Sequence, residues 1–213
     1  MKKFKKNKIK TLNYTAFIVT LAIMIGCYLI SYNYLKTKKT LAFDNMNIDN
    51  YKEETKEVDL KKEVVQTSQV TKITTVKKTT NYNYIGYLEI PKIKLKKGFL
   101  DKSSPYNNVE KNITVLPAST YPDIAKSNLI IVGHSGDGYK AYFEYLYKLN
   151  TGDIARVTYN NHTYTYKLVN INEQPKTGEI TIDRNYDKKV LTLITCTYKN
   201  DTLQSVYIFE EVL

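Results

Sequence analysis

The longest uncharged, mostly apolar segment of the chain covers residues 12–35, a stretch of 24 positions. A helix that crosses a bilayer needs about 20 consecutive apolar residues, so this segment is long enough. Tyr28, Tyr32 and Tyr34 lie near its outer end, where tyrosines commonly mark the membrane interface. The pattern predicts a transmembrane helix; a cleaved signal peptide, which also carries an apolar core, is the alternative.

Short segments of alternating apolar and polar residues begin at Tyr84. The segment "YIGYLEIPKIKL" is interrupted by Pro91 and predicts two short strands or a bent edge strand. "NLIIVGH" (128–134) predicts a buried strand, and Asn160-Asn161 between two alternating segments predicts a hairpin. "KKVLTLITC" and "QSVYIFEEV" predict two further strands.

One stretch of the same region has a different period. Apolar residues recur at helical intervals within residues 139–153, which predicts a helix there. They are Tyr142, Phe143, Leu146 and Leu149. Many short strands with one or two helices are typical of a closed or nearly closed β-barrel, so the predicted fold class is mainly β.

Residues 36–82 show no steady apolar period and are rich in Lys, Glu, Thr and Val. This composition predicts a solvated tether, with a short helix near 52–65. The chain is therefore predicted to have four parts, which are a basic tail (1–11), a transmembrane helix (12–35), an extracellular tether (36–82) and a folded domain (83–213).

The net charge of +11 suggests a nucleic-acid-binding protein until it is assigned to segments. Residues 1–39 contribute +9, residues 40–80 contribute zero, and residues 81–213 contribute only +2. Lysines that flank the apolar segment, six before it and three after it, indicate membrane topology and contact with anionic lipid. We therefore expect a single-pass protein of the cell membrane that binds no nucleic acid, with a cytoplasmic N-terminus and everything after residue 40 outside.

The chain has two cysteines, Cys27 in the apolar segment and Cys196 at the end of "VLTLITC". The folded domain thus has one thiol and no internal disulfide. In an exported protein, a leftover cysteine indicates a reactive or intermolecular thiol. An inert buried thiol is the alternative.

A histidine is the second candidate for chemistry in this domain. His134 ends "NLIIVGH" and precedes the flexible "SGDG", whereas His162 follows the predicted hairpin turn and is expected to be solvated. An imidazole can take the proton of a thiol and leave the more nucleophilic thiolate. If the strands that end at Gly133 and Thr195 are neighbours, His134 and Cys196 meet at one rim of the barrel.

These motifs resemble those of sortases, the cysteine transpeptidases of Gram-positive bacterial surfaces. "LTLITC" is similar to the TLxTC strand end that carries the sortase cysteine. "NLIIVGHS" with the later "LNTGD" is similar to the segment around the sortase histidine, and "IGYLEIPKIKL" resembles the opening strands of the barrel. The resemblance covers residues 84–212 and implies a closed barrel of about eight strands with one or two short helices.

The resemblance also implies a reaction of the thiol-protease type. Cys196 would attack the carbonyl of a threonine in an LPxTG-like sorting signal and form an acyl-thioester, which an amine then resolves. His134 would protonate the leaving amine and deprotonate the incoming one. The implied partners are surface proteins with a C-terminal sorting signal and an amine acceptor such as a peptidoglycan precursor. No cofactor or metal site is expected, and calcium activation is left open.

One departure from the family pattern concerns an arginine, which sortases carry on the strand after the cysteine loop. The chain has only two arginines, and Gln204 or Ser205 stands at the corresponding place. The amide of Gln204 can donate a hydrogen bond to a developing oxyanion; Lys199, Thr195 or backbone N–H groups are alternatives. The missing arginine also keeps open a non-catalytic function, in which a membrane-tethered barrel binds a surface peptide or polymer.

Overall fold

The computed structural model describes residues 2–63 and 83–212 and divides into two compact units after Leu41. The first unit is part of α1, an α-helix that spans Lys2–Glu63. The strands are β1 (Gly86–Ile90), β2 (Leu95–Phe99), β3 (Thr114–Val115), β4 (Asn128–Val132), β5 (Ile154–Tyr159), β6 (His162–Pro175), β7 (Val190–Cys196) and β8 (Leu203–Glu211). Two short 3₁₀ helices, Pro91–Ile93 and Leu146–Lys148, lie among them.

Helix α1 carries the predicted membrane segment. From Tyr14 to Leu35 its residues are exposed, except for Gly26, which is partly covered. Among the described residues it is the one helix that is long and apolar enough to cross a membrane. A continuous apolar surface of this length is unfavourable in water, so it is compatible with a membrane anchor.

The eight strands form one sheet in the order β2-β1-β5-β6-β8-β7-β4-β3, which curls into a nearly closed barrel. Only β4 and β7 are paired in parallel, and the other neighbours are antiparallel. Each of the eight strands contributes at least one buried side chain to a single core. Curling the sheet around this core removes apolar surface from water and leaves few unpaired strand edges. The predicted mainly β barrel is confirmed.

The alternating segments form the predicted strands. "YIGYLEIPKIKL" is divided at Pro91 into the antiparallel strands β1 and β2, because proline lacks the N–H group that a strand ladder requires. Asn160 and Asn161 connect β5 to β6 with positive φ angles of 48° and 63°, as a type I′ turn requires. The strands predicted from "NLIIVGH", "KKVLTLITC" and "QSVYIFEEV" are β4, β7 and β8.

Residues 139–153 do not form the predicted α-helix. They form tight turns and the 3₁₀ helix Leu146–Lys148, in which, for example, the Leu149 N–H donates to the Leu146 carbonyl at 2.9 Å. The buried side chains Phe143, Leu146 and Leu149 recur every three residues, which is the period of a 3₁₀ turn. The apolar spacing therefore marks a buried segment, but the α-helical period assigned to it is wrong.

The region predicted as a solvated tether begins as helix and packs on the barrel. Four side chains on one face of α1 are buried within the second unit, namely Asp44, Asn47, Ile48 and Tyr51. Ile48 packs in a cluster with Tyr84 and Leu100. The short helix predicted near 52–65 is, as far as Glu63, the end of α1. Residues 64–82 of the predicted tether lie outside the described residues.

A buried ion pair fixes the contact between α1 and the barrel. Lys97 Nζ lies 2.5 Å from Asp44 Oδ2, and the two side chains are only 4% and 6% exposed. The hydroxyl of Tyr84 donates to the other carboxylate oxygen at 2.9 Å, and Lys97 Nζ lies 3.9 Å from the centre of the Tyr142 ring. Burial lowers the pKa of Lys97, and Asp44 opposes this effect. Because loss of either partner leaves an unpaired buried charge, the pair ties this part of α1 to the folded domain.

Candidate active site

The parallel pairing of β4 and β7 brings together the two strand ends that lead to His134 and Cys196. Where β4 ends, the Gly133 N–H donates to the Ile194 carbonyl at 3.2 Å. One residue beyond His134, the Ser135 hydroxyl donates to the Cys196 carbonyl at 2.8 Å. The two strands are therefore neighbours, which was the condition for His134 and Cys196 to lie at the same rim of the barrel.

The side chains of β7 alternate between the inside and the outside of the barrel. Leu191 and Leu193 lie in the central core. The opposite surface carries a second apolar cluster, here called the outer cluster, which consists of Ile130, Val190, Ile194, Val206 and Ile208. Cys196 follows Ile194 by two residues, so its side chain leaves on the side of the outer cluster. Its thiol is free of any disulfide and partly exposed.

Gln204 is directly opposite Cys196 in the antiparallel β7–β8 pair, so both side chains leave the same face of the sheet. The Gln204 amide donates to the carbonyls of Pro175 and Glu179 at 3.4 and 3.3 Å. Ser205 is only 4% exposed and points to the opposite face. Of the two residues at the expected place of the arginine, Gln204 is therefore the one beside the cysteine.

The connection between β6 and β7 covers the outer cluster next to the cysteine. Within residues 176–189, Ile180 and Ile182 pack against that cluster. Two hydrogen bonds hold the connection, from the Gln174 amide to the Thr181 carbonyl at 2.6 Å and from the Thr181 N–H to the Gln174 side chain at 2.9 Å. An apolar wall thus stands beside the rim that carries the thiol.

His134 is held by a residue that sequence reasoning did not single out. His134 Nε2 lies 2.9 Å from Glu110 Oε1, and Lys140 Nζ lies 2.9 Å from Glu110 Oε2. The hydrogen bonds from Lys140 and His134 lower the pKa of the Glu110 carboxyl, and Glu110 raises the pKa of Lys140. Glu110 and His134 are 24 residues apart, with β3 and β4 between them, so no local motif links the two.

Neither arginine of the chain lies beside Cys196. Arg184 donates to the Lys126 carbonyl at 3.1 Å, near the start of β4, whereas the cysteine lies at the strand ends. Arg156 lies on β5, which is not a neighbour of β7. Lys199 follows the cysteine in an exposed turn, and its ammonium lies 5.1 Å from the centre of the Tyr198 ring.

The remaining candidates lie apart from this rim. His162 opens β6 at the hairpin and is exposed, as expected. Thr195 is buried and its hydroxyl donates to the Gly133 carbonyl at 2.8 Å, so it is already engaged. Within residues 2–63 and 83–212, no group of three or more His, Cys, Asp or Glu side chains is arranged to hold a metal ion.

Comparison with known proteins assigns the folded domain to a protein family. A family model described as the sortase domain matches residues 88–210, which is more than half of the chain. Among curated proteins, a search found no match.

Solved structures with a similar fold are also sortases. A Clostridium perfringens sortase D5 transpeptidase is 19% identical with a TM-score of 0.59, and the match covers 81% of this chain and 99% of that one. Sortase C1 from Streptococcus suis is 24% identical with a TM-score of 0.53, over 62% and 74% of the two chains. A lid mutant of sortase A from Corynebacterium diphtheriae is 19% identical with a TM-score of 0.54, over 81% and 95%. These likenesses concern the fold.

Proposed function

The chain belongs to the sortase family of transpeptidases, and from that premise we propose that it joins surface proteins to the cell wall through Cys196. In this proposal it cleaves an LPxTG-like sorting signal, holds the acyl part as a thioester on Cys196 and transfers it to an amine. The observation that supports this most directly is the parallel β4–β7 pair, whose neighbouring ends lead to an imidazole and to a free, partly exposed thiol.

The first half of the reaction begins with a proton transfer. His134 takes the proton of the Cys196 thiol, because the thiolate attacks carbonyls far better than the thiol does. The thiolate adds to the carbonyl carbon of the threonine in the signal. The tetrahedral intermediate then collapses, the C–N bond breaks, and the leaving amine takes the proton from the His134 imidazolium.

The second half of the reaction reverses these roles. The neutral His134 imidazole accepts a proton from the incoming amine as its nitrogen attacks the thioester carbonyl. The C–S bond breaks, and the departing Cys196 thiolate regains a proton from the imidazolium. A new amide bond has replaced the old one.

The oxyanion of each tetrahedral intermediate requires hydrogen-bond donors, and one such donor contributes about 10²–10³ in rate. We assign part of this role to Gln204, which lies on the same face as Cys196. Its amide donates to the backbone carbonyls of Glu179 and Pro175 at 3.3 and 3.4 Å, which are long bonds that a charged acceptor can replace. Backbone N–H groups at the rim supply the rest, because the Thr195 hydroxyl is already engaged.

Membrane anchoring completes the proposal. Residues 12–35 would cross the bilayer with the N-terminus in the cytoplasm, since six of the nine flanking lysines precede them. The barrel would then face the outside of the cell. Its two substrates would meet there, namely a surface protein with a C-terminal sorting signal and an amine acceptor such as a peptidoglycan precursor. The bilayer is the third partner, and nucleic acid is not one.

The experiment that tests this function is transpeptidation by the full chain in detergent. The protein is incubated with a library of LPxTG-like peptides and with triglycine as the amine, and mass spectrometry detects ligated peptide. We expect ligation and an acyl-enzyme on Cys196, both absent from Cys196→Ala, a small change that leaves the barrel folded. Cys27→Ala removes the other thiol and should keep full activity. Ligation by a pure Cys196→Ala preparation contradicts the nucleophile assignment.

A second candidate function is a non-catalytic barrel that binds a surface peptide or polymer. The observation that favours it is the absence of an arginine beside Cys196, where Gln204 stands instead. A thiosulfonate reagent separates the two functions, because a catalytic thiol reacts readily in the folded protein and an inert one does not. Slow modification of Cys196, together with no ligation of any peptide, would favour the binding function.

A further inference from the structure

A carboxylate bridges the candidate general base and a lysine at the rim of the barrel. The two oxygens of Glu110 lie 2.9 Å from His134 Nε2 and 2.9 Å from Lys140 Nζ. From this geometry we propose that Glu110 is a positioning residue, which holds His134 as the Nε2–H tautomer and leaves Nδ1 to exchange protons with Cys196. This proposal rests on the proposed transpeptidase function.

The tautomer follows from what each group can donate. An ionised carboxylate only accepts hydrogen bonds, so in contact with Glu110 it is His134 Nε2 that carries the proton. The lone pair of the neutral imidazole is then on Nδ1, the nitrogen that can take the proton of the Cys196 thiol. Once it has done so, the Nε2–H bond joins a cation to an anion, and such bonds are stronger than those with one neutral partner. The contact therefore favours the thiolate–imidazolium pair.

Glu110 is itself held in place by the loop between β2 and β3. Its N–H donates to the Asn108 side-chain oxygen at 2.8 Å, and the Asn108 carbonyl accepts from the Asn112 N–H at 2.9 Å. Asn112 is 1% exposed, and its amide donates to the Gly98 carbonyl of β2 at 3.0 Å. These hydrogen bonds anchor the loop to the barrel. They fix the backbone of Glu110, although its side chain is exposed.

Lys140 stabilises the charged form of the Glu110 carboxylate. The segment between His134 and Lys140 turns back at Gly136 and Gly138, whose φ angles are 98° and 125°. The turn returns the ammonium to Glu110, and the resulting hydrogen bond is the main reason for the lowered pKa of that carboxyl. Glu110 is therefore ionised at neutral pH.

The direct test reads the tautomer of His134 from its imidazole ¹⁵N resonances, in the full chain in detergent, at a pH where the ring is neutral. Glu110→Leu removes the acceptor, and Glu110→Gln keeps an acceptor oxygen without the charge. Glu144→Gln is the matched control, because that carboxylate interacts with Tyr145 instead. We expect the Nε2–H tautomer in the wild type, in Glu110→Gln and in the control, and a mixture of tautomers in Glu110→Leu.

Kinetics of the same variants separate a positioning role from a merely structural one. With the peptide and triglycine probes, Glu110→Gln should lower kcat by about tenfold and Glu110→Leu by about 10²-fold, with KM changed by less than about twofold. The rate at which iodoacetamide alkylates Cys196 should fall in the same order. Thermal unfolding should be unchanged, since Glu110 is 59% exposed. If Glu110→Leu nevertheless fails to fold, the kcat and the alkylation rate of Glu110→Gln decide whether Glu110 positions His134.

An unchanged tautomer in Glu110→Leu overturns the proposal whatever the turnover. A raised KM with an unchanged kcat also overturns it, because Glu110 then binds the peptide and does not position the imidazole. If the wild type ligates no peptide at all, the transpeptidase proposal fails, whereas the tautomer and the alkylation rates still decide the role of Glu110.

Discussion

Cys196 and Gln204 are directly paired across strands β7 and β8, so their side chains leave the same face of the sheet. The next residue, Ser205, is buried on the other face, where its hydroxyl lies 2.8 Å from the Thr197 hydroxyl. The pairing matters because the family pattern expects an arginine at this place and the chain has none there. Gln204 is therefore the residue of β8 that lies across from the cysteine.

Replacement of Gln204 by alanine should lower kcat by about tenfold or more, because it removes the amide that we propose as a donor to the developing oxyanion. Ser205→Ala is the matched control and should leave kcat unchanged, while it costs about 1 kcal/mol of stability through the lost hydroxyl hydrogen bond. Steady-state ligation kinetics and chemical denaturation measure the two effects. If Gln204→Ala leaves kcat unchanged, Gln204 does not stabilise the oxyanion, and backbone N–H groups or Lys199 are the remaining candidates.

Gln204→Arg should raise kcat above that of the wild type. A guanidinium provides a charge-assisted donor, and such bonds are roughly twice as strong as neutral ones. The carbonyls of Pro175 and Glu179, which now accept from the Gln204 amide, can accept from the remaining N–H groups. A loss of activity in Gln204→Arg would mean that the site requires a neutral side chain at this position.

Replacement of Asp44 by asparagine should cost about 3–5 kcal/mol of stability, because Lys97 then becomes an unpaired buried charge. Unfolding of the full chain in detergent, followed by the near-ultraviolet circular dichroism of the barrel, measures this loss. Asp49→Asn is the control, since its pair with Lys52 is 3.7 Å long and exposed, and it should change stability by less than about 0.5 kcal/mol. Equal stabilities of the two variants would show that α1 does not dock.

A double substitution tests the cause of that effect. Asp44→Leu with Lys97→Met removes both charges and should restore part of the stability lost in Asp44→Asn. If the double variant is as unstable as the single one, the packing of α1, rather than the unpaired lysine, accounts for the loss.

Alkaline pH should destabilise the barrel through two tyrosines, the buried Tyr166 and the partly buried Tyr121. Burial raises the pKa of Tyr121 to about 12 and raises the pKa of Tyr166 as well, from an ordinary value of 10.0. A raised pKa means that the folded state resists ionisation, so the stabilisation is complete below pH 10.0 and is lost as pH rises above it. Lys97, whose pKa burial lowers, acts in the opposite direction below its ordinary value of 10.5. Denaturation at a series of pH values should therefore show a steep fall only above about pH 10.

Tyr166→Phe separates this effect from general alkaline damage. The Tyr166 hydroxyl is buried and has no hydrogen-bond partner among the described residues, so its removal at neutral pH should stabilise the fold by about 1 kcal/mol. Above about pH 10 the variant should lose less stability than the wild type, because one titrating phenol is gone. Parallel pH curves for the two proteins would contradict the assignment.

Gly133→Ala should disturb both the fold and the candidate site. A Cβ atom on Gly133 would lie 2.8 Å from the ring of Phe143, which is fully buried. Overpacking of this kind costs about 1–3 kcal/mol, and it displaces the segment that hydrogen-bonds to the His134 carbonyl. Ligation and denaturation assays should both show losses. The additional Phe143→Leu substitution should recover part of each, and no recovery would indicate that the ring is not the obstacle.

The sequence by itself determined seven of the eight strands, all except the two-residue β3, and the positions of the two chemical groups at the strand ends. Alternation with a period of two and the turn preference of Asn160-Asn161 depend on residues that are close in the chain, so they can be recognised locally. Strand β7 ends at Cys196 as the pattern indicated, and the strand that precedes His134 is its parallel neighbour. The roles assigned to His134, Cys196 and Gln204 stay predictions.

Only the tertiary structure decided which residues surround these groups. Asp44 meets Lys97 across 53 residues, and that contact turns the start of an apparently solvated tether into a buried helix face. Glu110 meets His134 across 24 residues in a loop without any motif. Such contacts depend on how the sheet curls and where loops return, and a charged residue has the same local pattern whether it faces water or a partner. Contacts between side chains that are distant in the sequence therefore cannot be predicted from local sequence patterns.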